Sequence, residues 1–298
     1  MSSGTLTLAP VRASVLDYVA LTKPRIIGLL VFTGASGIMI GAGGHPDPAA
    51  LLAVVGGGAL CAGGANAINC ALEGDLDKLM ERTRDRPVAA GRISGRAAIL
   101  LGITLNLIAV AWLSVVANGL AALLAVSGTI WYVGVYTLWL KRRSPQNIVI
   151  GGLAGSFPPL VGWAAATGHL DATAVALAAI IFFWTPPHFW ALATLLKDDY
   201  ERAHVPMMPV VASANATARS MLVYAVATSA VSLLPVFWGG LGLVYVVVTV
   251  PLSANLLRLT ARFRKEPGRP AARALFGYSL IYLAAVFAAA VLDRLIIR

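Results

Sequence analysis

Residues 97–140 read AAILLGITLNLIAVAWLSVVANGLAALLAVSGTIWYVGVYTLWL, 44 consecutive residues without a formal charge. A helix needs about 20 apolar residues to cross the hydrocarbon core of a bilayer, so this run holds two spans, with Asn118-Gly119 as the turn between them. Helices are the expected form because lipid offers backbone N–H and C=O groups no partners. Outward from this run, uncharged stretches of 21, 25, 27, 25, 38 and 19 residues cover 26–46, 48–72, 144–170, 172–196, 220–257 and 274–292. The 38-residue stretch is long enough for two helices and divides near Gly239-Gly240. Hydrophobic residues make up 58% of the 298 and charged residues 12%, with a mean hydropathy of +0.80. That charged fraction is about half of what a soluble domain carries. The expected fold is an all-α polytopic membrane protein, nine transmembrane helices around a central cavity, with residues 1–298 forming a single membrane domain.

Basic residues orient the spans, because Lys and Arg accumulate in cytoplasmic loops. With nine spans, 21 of the 23 fall on one side: in the N-terminal segment 1–22 and its junction with span one, and in the second-to-third, fourth-to-fifth, sixth-to-seventh and eighth-to-ninth loops. The loops around His45, Asn118, His169 and Gly240 have none, and Arg294 and Arg298 close the chain on that side. The N-terminus is therefore expected in the cytoplasm and the C-terminus outside. The net charge of +10 is this bias seen in sum. It suits anionic lipid, and no basic-aromatic stripe suggests nucleic acid. The first 22 residues lack a continuous apolar core, so no cleavable signal peptide is expected. Cys61 and Cys70 and the Gly56-Gly57-Gly58 tract read as small packing residues inside span two. The two longest polar segments, 73–96 and 197–219, follow spans two and six. Their spacing suggests a duplicated four-helix unit with a ninth helix appended.

The chemistry-bearing residues gather at those two segments. In Asn66-Ala-Ile-Asn69-Cys-Ala-Leu-Glu73-Gly-Asp75-Leu-Asp77, residues Asn69, Glu73 and Asp77 fall four apart, on one face of a helix continuing out of the membrane. Two stacked anions beside a third oxygen donor call for a cation, and hard oxygen ligands of this kind suit Mg²⁺ together with substrate phosphates. Asp75 lies off that face. The second cluster, Lys197-Asp198-Asp199-Tyr200-Glu201-Arg202, ends span six on the same side. Together the clusters are expected to hold Mg²⁺ against a diphosphate through Asn69, Glu73, Asp77, Asp198 and Asp199, with Arg82, Arg86, Lys141, Arg142 and Lys197 neutralising the remaining charge. In span six, Trp184-Thr185-Pro186-Pro187-His188 reads as a broken helix carrying the span's one ionisable group. An intramembrane His is a candidate ligand, proton acceptor or hydrogen-bond donor, or is simply satisfied by a neighbouring helix.

These segments resemble the UbiA superfamily of intramembrane prenyltransferases, and within it the branch that farnesylates protohaem IX. The likeness runs from Leu21-Thr-Lys-Pro-Arg25 to the ninth span. It rests on Asn69, Glu73 and Asp77, on Met80-x-Arg82-Thr83-x-x-Arg86-Pro87, on Gly91-Arg92, on Trp184-Thr-Pro-Pro-His188-Phe-Trp, and on Asp199-Tyr200 with Val205-Pro206-Met207-x-Pro209-Val210. Glu73 stands where the family usually has Asp, and His204 where it usually has Gly. The resemblance implies an Mg²⁺-dependent enzyme of a prokaryotic inner membrane that transfers a farnesyl group from farnesyl diphosphate to a vinyl group of haem b, forming haem O. It implies catalytic roles for Asp77, Asp199 and His188, with His188 contacting haem, and haem A synthase or the cytochrome oxidase assembly machinery as partners. Rival readings are a prenyltransferase for another aromatic acceptor of the 4-hydroxybenzoate type, a transporter, or a non-catalytic assembly factor.

Overall fold

The computed structural model describes residues 13–238 and 240–296. Among them are nine helices long and apolar enough to cross a membrane: spans one to nine are Pro24–Gly41, Pro48–Leu72, Gly95–Val116, Gly119–Leu140, Asn147–Thr167, Ala172–Leu195, Ala214–Phe237, Leu243–Lys265 and Arg269–Ile296. Their ends follow local chemistry. Asp47, Ser94, Asn118, Asp171 and Ser213 each cap a span by accepting a backbone N–H three residues on, as short polar side chains do at helix starts. The break between spans seven and eight falls where expected; Gly239 itself lies outside the described residues, as do residues 1–12 and 297–298. At the N-terminus of span eight the capping group comes from another helix. Buried Asp293 of span nine accepts from the backbone N–H of Gly242 (2.6 Å) and Tyr245 (3.1 Å).

Spans meet where side chains are missing. A Cβ on Gly162 of span five would lie 2.0 Å from the Gly34 carbonyl oxygen of span one, and one on Gly37 would lie 2.3 Å from that of Pro159. Spans two and three approach in the same way at Gly64 and Gly102, each within 2.6 Å of the other's carbonyl oxygen once a Cβ is added. Small residues are the usual means of close helix approach in lipid. In the glycine tract of span two, Gly56 and Gly57 receive Trp112 and Leu113 of span three, whereas Gly58 opens into a cavity. Cys61 and Cys70 are buried and unpaired.

Two helices depart from the expected geometry. Span six runs unbroken through Pro186 and Pro187, so the expected break there does not occur. The two prolines withhold only the donors that the Phe182 and Phe183 carbonyls would use, and the flanking residues are held by packing of Trp184 and Trp190. The irregular helix is span five, which tightens to 3-10 geometry at Gly152–Ser156 before resuming at Phe157–Thr167. Here the glycines tolerate the tight turn, and Pro158 and Pro159 stand in the first turn of the resumed helix, where N–H groups have no partner in any case. Span four is α-helical to Ile130 and then π-helical over Trp131–Leu140, a wider winding that is rare and recurs at functional sites. Six-residue helices, Gly74–Leu79 and Lys197–Arg202, follow spans two and six, so the repeat in polar segments is also a repeat in structure.

Overpacking a tight contact costs about 1–3 kcal/mol. Gly162→Ala is therefore expected to unfold several degrees below wild type in a detergent-solubilised thermal melt, whereas Gly277→Ala, with no atom near its added Cβ, melts with wild type.

Candidate active site

Span two ends at Leu72, and Glu73 is the joint (φ −106°, ψ 11°) from which the short helix Gly74–Leu79 departs. Backbone bonds cross the joint, from Glu73 N–H to Asn69 O (3.0 Å) and from Asp77 N–H to Glu73 O (2.8 Å), so Asn69, Glu73 and Asp77 stay in register despite the bend. All three side chains are buried, and each meets a different cation. Lys23 donates to Asn69 Oδ1 (2.7 Å), Lys141 to Glu73 Oε2 (2.5 Å), and Arg86 to both Asp77 oxygens (2.8 and 2.9 Å). The cations come from the junction before span one, the end of span four and the 73–96 loop. Glu73 Oε1 is buried and has no hydrogen-bond partner among the described residues.

The 80–87 loop folds back on Asp77. Thr83 donates to the Asp77 carbonyl (3.1 Å) while Arg86 pairs with the Asp77 carboxylate, so both hold one turn around one residue. Arg92 ties the far end of the loop to Asp17 (2.8 Å). Asp199, from the second cluster, accepts from the backbone N–H groups of Glu81 (3.1 Å) and Arg82 (3.5 Å) and from the Arg202 guanidinium. The two acidic segments are thus joined, with Asp199 clamping the 80–82 turn. Around it, Tyr200, Val205 and Met207 pack with Leu76, Met80 and Tyr136. His204 adopts φ +53° and so keeps the left-handed turn that glycine would take.

Other expected members stand apart. Lys197 and Asp198 are exposed, Lys197 pairing with Glu201. Arg142 makes a surface pair with Asp75 (2.7 Å to each oxygen), and Arg82 contributes its backbone while its side chain is exposed. Among the described residues no three His, Cys, Asp or Glu side chains converge on a common point, because the buried carboxylates alternate with cations. The Arg142 guanidinium holds the Asp75 carboxyl below its usual range. Burial pushes Lys23 down to about 8, with Arg86 and Lys141 adding to the effect, and pushes the Tyr200 phenol up to about 12.

Two contributors carried little sequence signal. Lys23 looks like an ordinary interfacial lysine, yet its left-handed backbone (φ +55°) turns it into the site. The π-helical end of span four presents Thr137 to Asn69 (3.0 Å) and stacks Tyr132 on Tyr136 (5.6 Å). Both tyrosines line a cavity of about 390 Å³ walled by spans one, two, four, five and six. Asn66, Thr129 and Thr185 are among its few polar side chains; glycines and aliphatic residues supply most of the wall. Span six sends Thr185 and Phe189 into it, while His188, on the next helical row, turns to Ser279 of span nine (2.7 Å).

The sequence pattern of the UbiA prenyltransferase family matches residues 29–286. The chain belongs to that family. Among curated relatives within it, a protoheme IX farnesyltransferase of Thermus thermophilus is 50% identical over 278 residues, which are 93% of this chain and 46% of that protein. One of Gloeobacter violaceus is 47% identical over 284 residues, 95% of this chain and 93% of that protein. The chain spans about half the length of the first relatives it matches, those of Thermus and Chloroflexus. A structure described as digeranylgeranylglyceryl phosphate synthase shares the fold, with a TM-score of 0.79 at 18% identity over 94% of this chain and 98% of that one. So does a UbiA homologue of Archaeoglobus fulgidus bound to GPP and Mg²⁺, with a TM-score of 0.63 at 16% identity over 92% of this chain and 99% of that one. Fold and family agree on an integral membrane protein, with nine spans among the described residues.

If Asp199 is the clamp on the 80–82 turn, Asp199→Ala frees a loop whose Arg82 and Arg84 are already exposed. Limited trypsinolysis is expected to cut there faster than in wild type, with Asp198→Ala giving the wild-type pattern.

Proposed function

We propose that this protein transfers the farnesyl group of farnesyl diphosphate to a vinyl group of protohaem IX, producing haem O. One observation carries the reading: a ladder of buried oxygens and cations, with Glu73 Oε1 left unpartnered, adjoins a mostly apolar cavity of about 390 Å³. That volume lies within the range of small-molecule sites. The names of the Thermus and Gloeobacter relatives support the choice of substrates.

The farnesyl tail lies in the cavity and the diphosphate at the ladder. Lys23, Lys141 and Arg86 supply positive charge to the leaving group, which takes the electron pair of the breaking C1–O bond. The donor set suits Mg²⁺, and the Archaeoglobus homologue is described as bound to GPP and Mg²⁺: Glu73 through its free oxygen and Asp77 would hold the ion, and when bound it would neutralise charge on the departing diphosphate. Tyr132 and Tyr136 line the cavity where an allylic cation would form, and aromatic faces attract cations. The terminal vinyl carbon of haem attacks farnesyl C1, the resulting cation next to the porphyrin takes up water, and loss of a proton leaves the hydroxyethylfarnesyl group. A dry cavity keeps water from quenching the first cation. His188 contacts the haem. The protein sits in a prokaryotic plasma membrane with the ladder on the cytoplasmic face, and it hands its product to a haem A synthase or to oxidase assembly.

The test is mass analysis of haems extracted from cells with and without this protein. Haem O is expected only with it. It should be lost in Asp77→Ala and Asp199→Ala despite normal membrane insertion, and abolished in purified wild type by chelating Mg²⁺. Haem O formation retained in both variants overturns catalysis by these clusters. Farnesylation of 4-hydroxybenzoate in place of haem would move the assignment to an aromatic acceptor.

A further inference from the structure

The face of span six next to the one that borders the cavity holds His188 in a defined setting. Trp184, one turn earlier, stacks on its imidazole at 4.1 Å and 17°, and Phe276 of span nine stacks at 4.8 Å and 28°. Two near-parallel rings cannot share one face of an imidazole, so both faces are covered and only the ring edges remain. On one edge Nδ1 lies 2.7 Å from Ser279 Oγ. Ser279 is itself fully buried and fastened on both sides: its hydroxyl donates to the Phe276 carbonyl (2.6 Å), and its own carbonyl accepts from Trp184 Nε1–H (2.8 Å). Among the described residues Nε2, on the opposite edge, has no hydrogen-bond partner, and His188 is only partly buried.

The proton count then decides the tautomer. Two oxygens 2.6 Å apart need a hydrogen between them. The Phe276 carbonyl has none to give, so the single hydroxyl proton of Ser279 points at it. Ser279 Oγ can therefore only accept from the ring, and His188 must carry its proton on Nδ1. This leaves an unprotonated Nε2 with its lone pair directed away from span nine. A histidine that donates through one nitrogen to a fixed acceptor and offers the other is the usual arrangement behind a metal-ligating imidazole.

We propose that Ser279 is a positioning residue that fixes the Nδ1–H tautomer of His188, so that Nε2 is presented as an axial ligand to the iron of the porphyrin substrate. This rests on the reading of protohaem as acceptor. It adds a second binding surface, between spans six and nine, next to the face of span six that borders the cavity assigned to the prenyl chain. The neighbouring rows of one helix would thereby hold the two substrates: Thr185 and Phe189 toward the tail, Trp184 and His188 toward the porphyrin.

The experiment titrates ferric protoporphyrin IX into the purified, detergent-solubilised protein and follows the Soret band and the electron paramagnetic resonance spectrum. Wild type is expected to give an imidazole-ligated spectrum that is absent in His188→Ala. In Ser279→Ala the affinity should fall about 10- to 100-fold, the usual cost of losing a partner behind a ligand, with an altered spectrum but wild-type melting and farnesyl diphosphate binding. Ser279→Thr, which keeps the hydroxyl, should keep the wild-type spectrum. A wild-type spectrum and affinity in Ser279→Ala overturn the positioning role. Haem O production by wild type with the same haemin spectrum in His188→Ala overturns iron ligation and leaves the proposed function standing. A wild type that neither binds haemin nor makes haem O overturns both.

Discussion

The Glu73 carboxylate sits at the end of a 25-residue apolar helix, 2% exposed, against a Lys141 ammonium that is 12% exposed. Neither charge survives there alone. Removing one partner of a buried pair costs about 3–5 kcal/mol, because the other is left uncompensated. The pair therefore constrains everything around it. Lys141 must arrive at the right height from span four, and the π-helical winding of Trp131–Leu140 is what delivers it. One turn on, Asp77 has the same need and draws Arg86, while one turn back the neutral Asn69 accepts a hydrogen bond from Lys23. Three cations from three parts of the chain are pinned to one face of one helix.

Carboxylates and cations alternate, so the two buried carboxylates, Glu73 and Asp77, are each neutralised by a cation from another part of the chain. One buried oxygen, Glu73 Oε1, stays uncommitted. The clamp of Asp199 on the 80–82 turn keeps the loop carrying Arg86 folded over the site. Below it, close contacts at Gly34, Gly37 and Gly162 pull spans one and five together, which helps close the wall of the cavity without filling it.

Much of this architecture is legible in the amino-acid sequence. Run lengths and basic-residue sidedness agree on nine helices, and the nine are present with caps at Asp47, Ser94 and Asn118. The four-residue spacing of Asn69, Glu73 and Asp77 places them on a common face, and they share it. Other features are illegible for identifiable reasons. Lys23 resembles any interfacial lysine, because nothing local announces a left-handed lysine. The π-helix lies within an aromatic run that is equally at home in an α-helix. Pro186-Pro187 points to a break in span six, but surrounding packing keeps that helix continuous, while Pro158-Pro159 sit beside glycines that let span five tighten instead. Asp198 and Asp199 are adjacent in sequence and point to opposite environments, one exposed and one buried.

The sequence by itself determined the solvent, the helix count and the two polar segments that hold the acids and most of the bases. These follow from composition and short-range period, since lipid penalises any unsatisfied or charged residue wherever it occurs along a span. Only the tertiary structure decided which acid meets which base, that Asp199 binds backbone rather than standing free, and that His188 faces span nine rather than the cavity. Those outcomes depend on how helices distant in sequence rotate against one another. That rotation is set by glycine contacts and buried ion pairs, which no local window contains.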